Sequence, residues 1–151
     1  MVIQAGEQAP AFTAKATGDR EVSLSDYAGR KNVMLAFFPF AFSPVCSEQI
    51  PDYSQNSARF EELNTEAMAV SVDSPWSLGA WAEQYGVQIP VLSDFSKEIT
   101  NAYGVMHDMG MSERAVVIID KNGKVAYSHI QENILEIPSL DSIFAELEKI
   151  Q

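Results

Sequence analysis

The chain contains one cysteine, Cys46, and the residues around it carry more chemistry than any other stretch. The segment Pro39-Phe40-Ala41-Phe42-Ser43-Pro44-Val45-Cys46 follows Val33 to Phe38 (VMLAFF), a nearly all-apolar run that reads as a central strand covered on both faces. Pro39 ends the ladder by withholding a donor. A corner at the carboxyl end of a strand is where open α/β sheets place their sites. Cys46 would then lie in the first turn of a helix, where unpaired N–H groups and the positive dipole end stabilise a thiolate. The thiolate is the nucleophile, and such surroundings draw a cysteine pKa from about 8.5 into a range of roughly 3.5–7.5. Ser43 stands three residues earlier, with a hydroxyl that can reach the sulfur or an oxygen bound to it. Pro39 and Pro44 stiffen the loop and exclude water. A free cysteine is usually a small buried hydrophobe; a strand-to-helix corner after P-x-x-x-S-x-x reverses those odds.

The rest of the composition excludes several kinds of chemistry. Lys plus Arg number 10 and Asp plus Glu 21, a net charge of −11. A chain this acidic repels phosphate backbones, so neither nucleic acid nor an anionic membrane is expected as partner. With one cysteine no internal disulfide, CxxC pair or cysteine-rich zinc site can form. His107 and His129 are isolated, so no metal and no cofactor are expected. A lone cysteine fits a reducing compartment. MVIQAGEQAP has no basic n-region, and the uncharged apolar stretch Val33 to Phe42 is too short for a bilayer. A cytoplasmic location without a targeting signal is the expectation.

The elements that must hold this loop alternate along the chain. Ala11 to Ala16 and Arg20 to Leu24 flank Gly18-Asp19 as a hairpin. After the Val33–Phe38 strand, Pro51 predicts one helical turn near Cys46 and a longer helix beyond the proline. Ala67 to Val72 is a buried strand. Ser74 as N-cap, Pro75 in the first turn and Gly86 as the stop bound a helix. Ile89 to Leu92 is a short strand and Ser96 to Tyr103 a short helix closed by Gly104. Ala115 to Ile119 and Lys124 to Ile130 form a hairpin around Asp120–Gly123. Leu140, Ile143, Phe144, Leu147 and Ile150 mark a C-terminal amphipathic helix. Trp81, Tyr85, Phe95 and Tyr103 read as core. The order predicts one α/β domain over residues 1–151, a central mixed sheet with helices on both faces and an N-terminal β-hairpin. A thioredoxin-like sandwich has this order.

PFAFSPVC resembles the peroxiredoxin pattern Pro-x-x-x-Thr/Ser-x-x-Cys. Gly6-Glu7-Gln8-Ala9-Pro10-Ala11-Phe12 is similar to the G-x-x-A-P-x-F opening of that family. Val72-Asp73-Ser74 with Trp81, Leu92-Ser93-Asp94, Tyr103-Gly104-Val105 and Arg114 ahead of a buried strand resemble its later landmarks. The likeness runs along essentially the whole chain. It is greatest to the one-cysteine alkyl hydroperoxide reductase E type, with the bacterioferritin-comigratory type next.

The resemblance implies a thioredoxin fold and thiol-dependent reduction of hydrogen peroxide and organic hydroperoxides through a sulfenic acid. It makes Cys46 the peroxidatic cysteine, Ser43 the hydroxyl that bonds the peroxide, Pro39 the shield of the sulfur, and Arg114 the cation that holds the thiolate and polarises the substrate. Phe40, Phe42 and Gln49 are expected on the substrate side. Two positions depart from the family pattern. Gln49 stands where a glutamate usually bonds the arginine, and Pro51 lies within the cysteine helix. No resolving cysteine is present, so an external thiol is implied as reductant: a thioredoxin-like or mycoredoxin-like protein, or a low-molecular-weight thiol. A homodimer is expected by family analogy. The competing reading is a non-enzymatic thioredoxin-fold redox sensor or chaperone-like module, which would need the reactive thiol but not Ser43 and Arg114 beside it.

Overall fold

The computed structural model describes residues 1–151. Its strands are β1 (Thr13–Ala16), β2 (Arg20–Ser23), β3 (Asn32–Phe37), β4 (Thr65–Ser71), β5 (Val91–Ser93), β6 (Ala115–Ile119) and β7 (Val125–Ile130). Its helices are α1 (Cys46–Gln55), α2 (Ser57–Glu62), α3 (Pro75–Tyr85), α4 (Glu98–Ala102) and α5 (Leu140–Glu148). A 3-10 turn at Leu24–Tyr27 follows the first hairpin. The strands form one sheet in the order β2-β1-β5-β4-β3-β6-β7. β3, β4 and β5 run parallel, and antiparallel hairpins complete both sides. This is the mixed sheet with an N-terminal hairpin that the element order predicts.

All six residues of β3 are buried, and the pleat sends them alternately to two cores. Met34, Ala36 and Phe38 face the layer that holds Cys46, Ile50 and Tyr53 of α1, Leu78 and Trp81 of α3, and Ile143 and Leu147 of α5. Val33, Leu35 and Phe37 face Ile3, Phe12, Ile99 and Tyr103. The helix ends follow the local chemistry. Ser74 accepts from the Ser77 amide, Pro75 opens α3, and Gly86 closes it at φ 67. Buried Asp94 receives the Ile99 and Thr100 amides and starts α4. Two aromatic residues expected inside lie outside: Phe95, in the turn after β5, is 69% exposed, and Tyr85, the last residue of α3, 37%. Both stand at element ends, where periodicity no longer assigns a face.

The cysteine helix differs from expectation. α1 continues through Pro51 instead of breaking there. The proline leaves the Ser47 carbonyl without its helical donor. Tertiary packing outweighs that loss: Cys46, Gln49, Ile50, Tyr53 and Ser54 are buried, and the Trp81 indole N–H donates to the Ser47 hydroxyl at 3.0 Å. The break comes later, at Asn56, before α2. A proline inside a helix costs about 3 kcal/mol relative to alanine, whereas the freer unfolded chain of the alanine variant costs only about 0.4–1 kcal/mol. Pro51→Ala is therefore expected to stabilise the protein by roughly 2–2.5 kcal/mol, read as a higher urea midpoint at unchanged slope.

Candidate active site

Three neighbouring strands deliver the site to one end of the sheet. β3 ends at Phe37, and the Phe38 amide still donates to the Val70 carbonyl at 3.0 Å. The buried Pro39 then starts the loop that leads to Cys46. β6 runs antiparallel to β3 with Ala115 opposite Phe37. Arg114, one residue earlier, thus lies at the loop end of β3. β4 is parallel to β3 with Val70 opposite Phe37, so Asp73 just beyond it reaches the same end.

Cys46 is the first residue of α1, and its sulfur is completely buried. Its own amide has no acceptor within the protein. The Arg114 guanidinium, 2% exposed, holds three groups at once. Nε donates to the Ile134 carbonyl at 2.7 Å, Nη1 to Gln49 Oε1 at 2.5 Å, and Nη2 to Cys46 Sγ at 3.3 Å. No carboxylate pairs with this guanidinium; the ion pairs of the molecule lie elsewhere. A buried arginine cannot shed its charge, so an anionic sulfur is its available counter-charge. Across that distance the attraction would be on the order of 5 kcal/mol at an effective dielectric near 20.

Gln49 is completely buried. An arginine can only donate, so the amide must turn its oxygen to Nη1. Its Nε2 then has no acceptor. Gln49 therefore holds the arginine and stands away from the exposed rim. Ser43 is partly exposed and makes no hydrogen bond to the sulfur; its hydroxyl donates to the Phe40 carbonyl at 2.7 Å, and its carbonyl caps the Ser47 amide at 3.0 Å. The lone pairs of that hydroxyl stay free beside the loop. Phe40 and Phe42 are 43% and 49% exposed and form an apolar rim. A cavity of about 450 Å³ is lined by Leu24, Tyr27, Val33 and Ile119 at the opposite end of β3 and holds none of these groups.

Two side chains without an assigned role in the sequence join the site. Tyr53 donates to the Pro138 carbonyl at 2.5 Å, so α1 and Arg114 grip the same segment after β7. Asp73 accepts the Ala41 amide of the loop at 2.8 Å. The V-D-S landmark contained the signal for Asp73, since a residue just past a parallel neighbour of β3 must come to that end. The carbonyls of Ile134 and Pro138 have no sequence signature, because every residue has one.

A buried thiol at a helix start, against an unpaired buried arginine at the strand ends of a mixed sheet, defines a class of thiol-reactive proteins on a thioredoxin-like fold. The chain belongs to the AhpC/TSA family of peroxiredoxins, whose family model matches residues 5–128. It is 39% identical over 97% of its length to a chloroplastic 2-Cys peroxiredoxin from Spinacia oleracea, and spans 59% of that relative. It is 32% identical to an alkyl hydroperoxide reductase E from Mycobacterium bovis, over 87% of this chain and 88% of the relative. The crystal structure of reduced Plasmodium vivax 2-Cys peroxiredoxin superposes with a TM-score of 0.89 at 34% identity, covering 95% of this chain and 80% of that one.

Gln49→Glu would give Arg114 a buried carboxylate and weaken its hold on the sulfur. Alkylation of Cys46 by iodoacetamide at neutral pH should slow on the order of tenfold, measured by mass spectrometry of the Cys46 peptide. Burial pushes the Tyr53 phenol up to about 12, against a smaller opposing pull from the neighbouring Gln49 amide. A phenol whose folded value lies above its unfolded one contributes stability below the unfolded value and loses it as pH rises toward the folded one. Between pH 10 and about 12 the protein should lose on the order of 2–3 kcal/mol. In Tyr53→Phe that loss should be smaller, seen by urea melts across the alkaline range.

Proposed function

We propose that the chain is a thiol-dependent peroxidase that acts through Cys46. The observation that carries this reading is the 3.3 Å contact between the Arg114 guanidinium and Cys46 Sγ, with no carboxylate to draw the arginine away. The thiolate attacks one peroxide oxygen in line with the O–O bond. A sulfur–oxygen bond forms, the O–O bond breaks, and the leaving oxygen departs with the electron pair and takes up a proton to become water or an alcohol. Sulfur is oxidised to sulfenic acid and the peroxide is reduced. Preorganised donors lower this barrier by meeting charge on the leaving oxygen. Arg114 and the unpaired Cys46 amide are the donors at hand, and Ser43 bonds the incoming peroxide through its hydroxyl. Pro39 covers the sulfur, and the rim of Phe40 and Phe42 suits a substrate with an apolar tail.

The 151 residues contain no second cysteine. An external thiol therefore attacks the sulfenic sulfur, releases water and leaves a mixed disulfide, which a second thiol resolves. A thioredoxin-like or mycoredoxin-like protein or a low-molecular-weight thiol suits this step. A lone catalytic thiol that must return to the reduced state fits the cytoplasm. No helix of the structure is long and apolar enough to cross a membrane. A homodimer is the assembly we favour, supported by the exposed Phe40, Phe42 and Trp76.

The test is stopped-flow fluorescence from Trp76 and Trp81 on mixing with peroxide, with mass spectrometry after one equivalent. The expected product is one oxygen on the Cys46 peptide, reversible by thiol. Cys46→Ser should abolish turnover, and Ser43→Val and Arg114→Ala should each lose on the order of 2–4 kcal/mol of transition-state stabilisation. A single-turnover rate no faster than that of a free cysteine thiolate, or unchanged turnover in Arg114→Ala, would overturn the reading.

A further inference from the structure

By hydrogen bonds, the loop before Cys46 is held to the rest of the molecule at one internal point, although Pro39 is buried and Ala41 also packs on the core. Within Pro39–Val45 the other hydrogen bonds are local or lead into α1: Ser43 to the Phe40 carbonyl, Ser47 to the Ser43 carbonyl, and Glu48 and Gln49 to the Val45 carbonyl. Only the Ala41 amide crosses to another element, where it donates to Asp73 Oδ2 at 2.8 Å. That carboxylate is itself tied down. Ser71 Oγ, buried at the end of β4, donates to the same oxygen at 2.7 Å and accepts the Asp73 amide at 3.2 Å. Ser93 Oγ, at the end of β5, donates to the Asp73 carbonyl at 2.6 Å. The ends of two strands thus make a rigid post for one loop amide.

The neighbouring residue carries a local backbone cost. Phe42 has φ 69, a left-handed conformation that bulky side chains adopt only when their surroundings compel it. The loop includes one unfavourable conformation, and the Asp73–Ala41 bond lies one residue from it. Cys46 Sγ is completely buried, and a peroxide is much smaller than a thiol reductant. Exposing this sulfur to a large thiol requires the loop to move, and the bond from loop to sheet that must break is the one to Asp73.

We infer that Asp73 is a positioning residue that latches the loop before Cys46 and thereby sets the balance between a closed arrangement suited to peroxide and an open one that admits a bulky thiol reagent. The inference rests on Cys46 as the reacting thiol. It assigns Asp73 no contact with the peroxide. The carboxylate acts through the Ala41 amide, and so on where Ser43 and Cys46 stand relative to each other. A bond to a charged acceptor is worth more than one between neutral groups, so the charge as well as the shape of Asp73 contributes. Removing the latch should push two reactions of the same sulfur in opposite directions. A residue important only for global folding would speed DTNB only as far as it lowers the melting temperature, so the latch reads as opposed rate changes in a chain that still melts near wild type.

The experiment compares the intact wild-type chain with Asp73→Ala, Asp73→Asn and Ser71→Ala. For each, the single-turnover rate with hydrogen peroxide is set beside the rate of Cys46 modification by the aromatic disulfide DTNB, with a thermal melt as control. Asp73→Ala is expected to react roughly tenfold more slowly with peroxide and roughly tenfold faster with DTNB. Asp73→Asn keeps an acceptor oxygen without the charge and should fall between it and wild type. Ser71→Ala loosens the post and should move both rates the same way to a smaller extent. Rates that fall together, or a peroxide-to-DTNB ratio unchanged across the series, would overturn the latch. If Asp73→Ala does not fold, the other two variants decide by the same ratio. A wild-type chain whose Cys46 takes up no oxygen from peroxide would instead overturn the peroxidase reading, and the DTNB rates would still report whether the loop is latched.

Discussion

Everything at the reactive end of this protein depends on a buried positive charge without a carboxylate. Removing a guanidinium from water is costly unless something answers its charge. Here Arg114 meets a backbone carbonyl, a neutral amide and a sulfur. Of the three, only the sulfur can become an anion. The protein therefore gains most from this arginine when Cys46 is a thiolate, and the helix start beneath the sulfur acts in the same direction. Gln49 matters for what it lacks: it fills the place of an acid and accepts the same hydrogen bond without competing in charge.

The sheet makes that arrangement possible at low cost in order. The sulfur, the arginine and the loop-holding carboxylate come from residues 46, 114 and 73, yet each stands just beyond the end of β3, β6 or β4, three adjacent strands. The register that pairs Phe37 with both Ala115 and Val70 aligns them. Because those strands are buried on both faces, a slip of register would misplace core side chains as well as the site. Packing that stabilises the fold and packing that aligns the chemistry are the same contacts.

Stiffness and release coexist in the cysteine segment. α1 is fastened by Trp81 to Ser47 and by Tyr53 to the Pro138 carbonyl, while the loop ahead of it makes one hydrogen bond to a distant side chain and includes a phenylalanine at positive φ. Pro51 removes a helical bond in between. Under the proposed reaction a buried sulfur first meets a small oxidant and then a larger reductant, which calls for both properties, and the two are built into consecutive stretches of chain.

The order of elements, the hairpins, the capped helix from Pro75 to Gly86 and the corner at Cys46 were all legible in the sequence, because local propensity, proline and glycine chemistry and apolar patterning act over a few residues. Arg114 was legible only through likeness to a family. Its distance from Cys46 along the chain is bridged by strand pairing, which no short segment encodes. Tertiary structure alone decided that α1 survives Pro51, that the Ser43 hydroxyl faces Phe40, that Tyr85 and Phe95 lie outside, and that Asp73 holds the loop. The survival of α1 and the hold of Asp73 turn on contacts between distant segments, whose energy exceeds the local preference opposing them; the Ser43 bond is local to its loop, and Tyr85 and Phe95 lie at element ends where apolar patterning assigns no face.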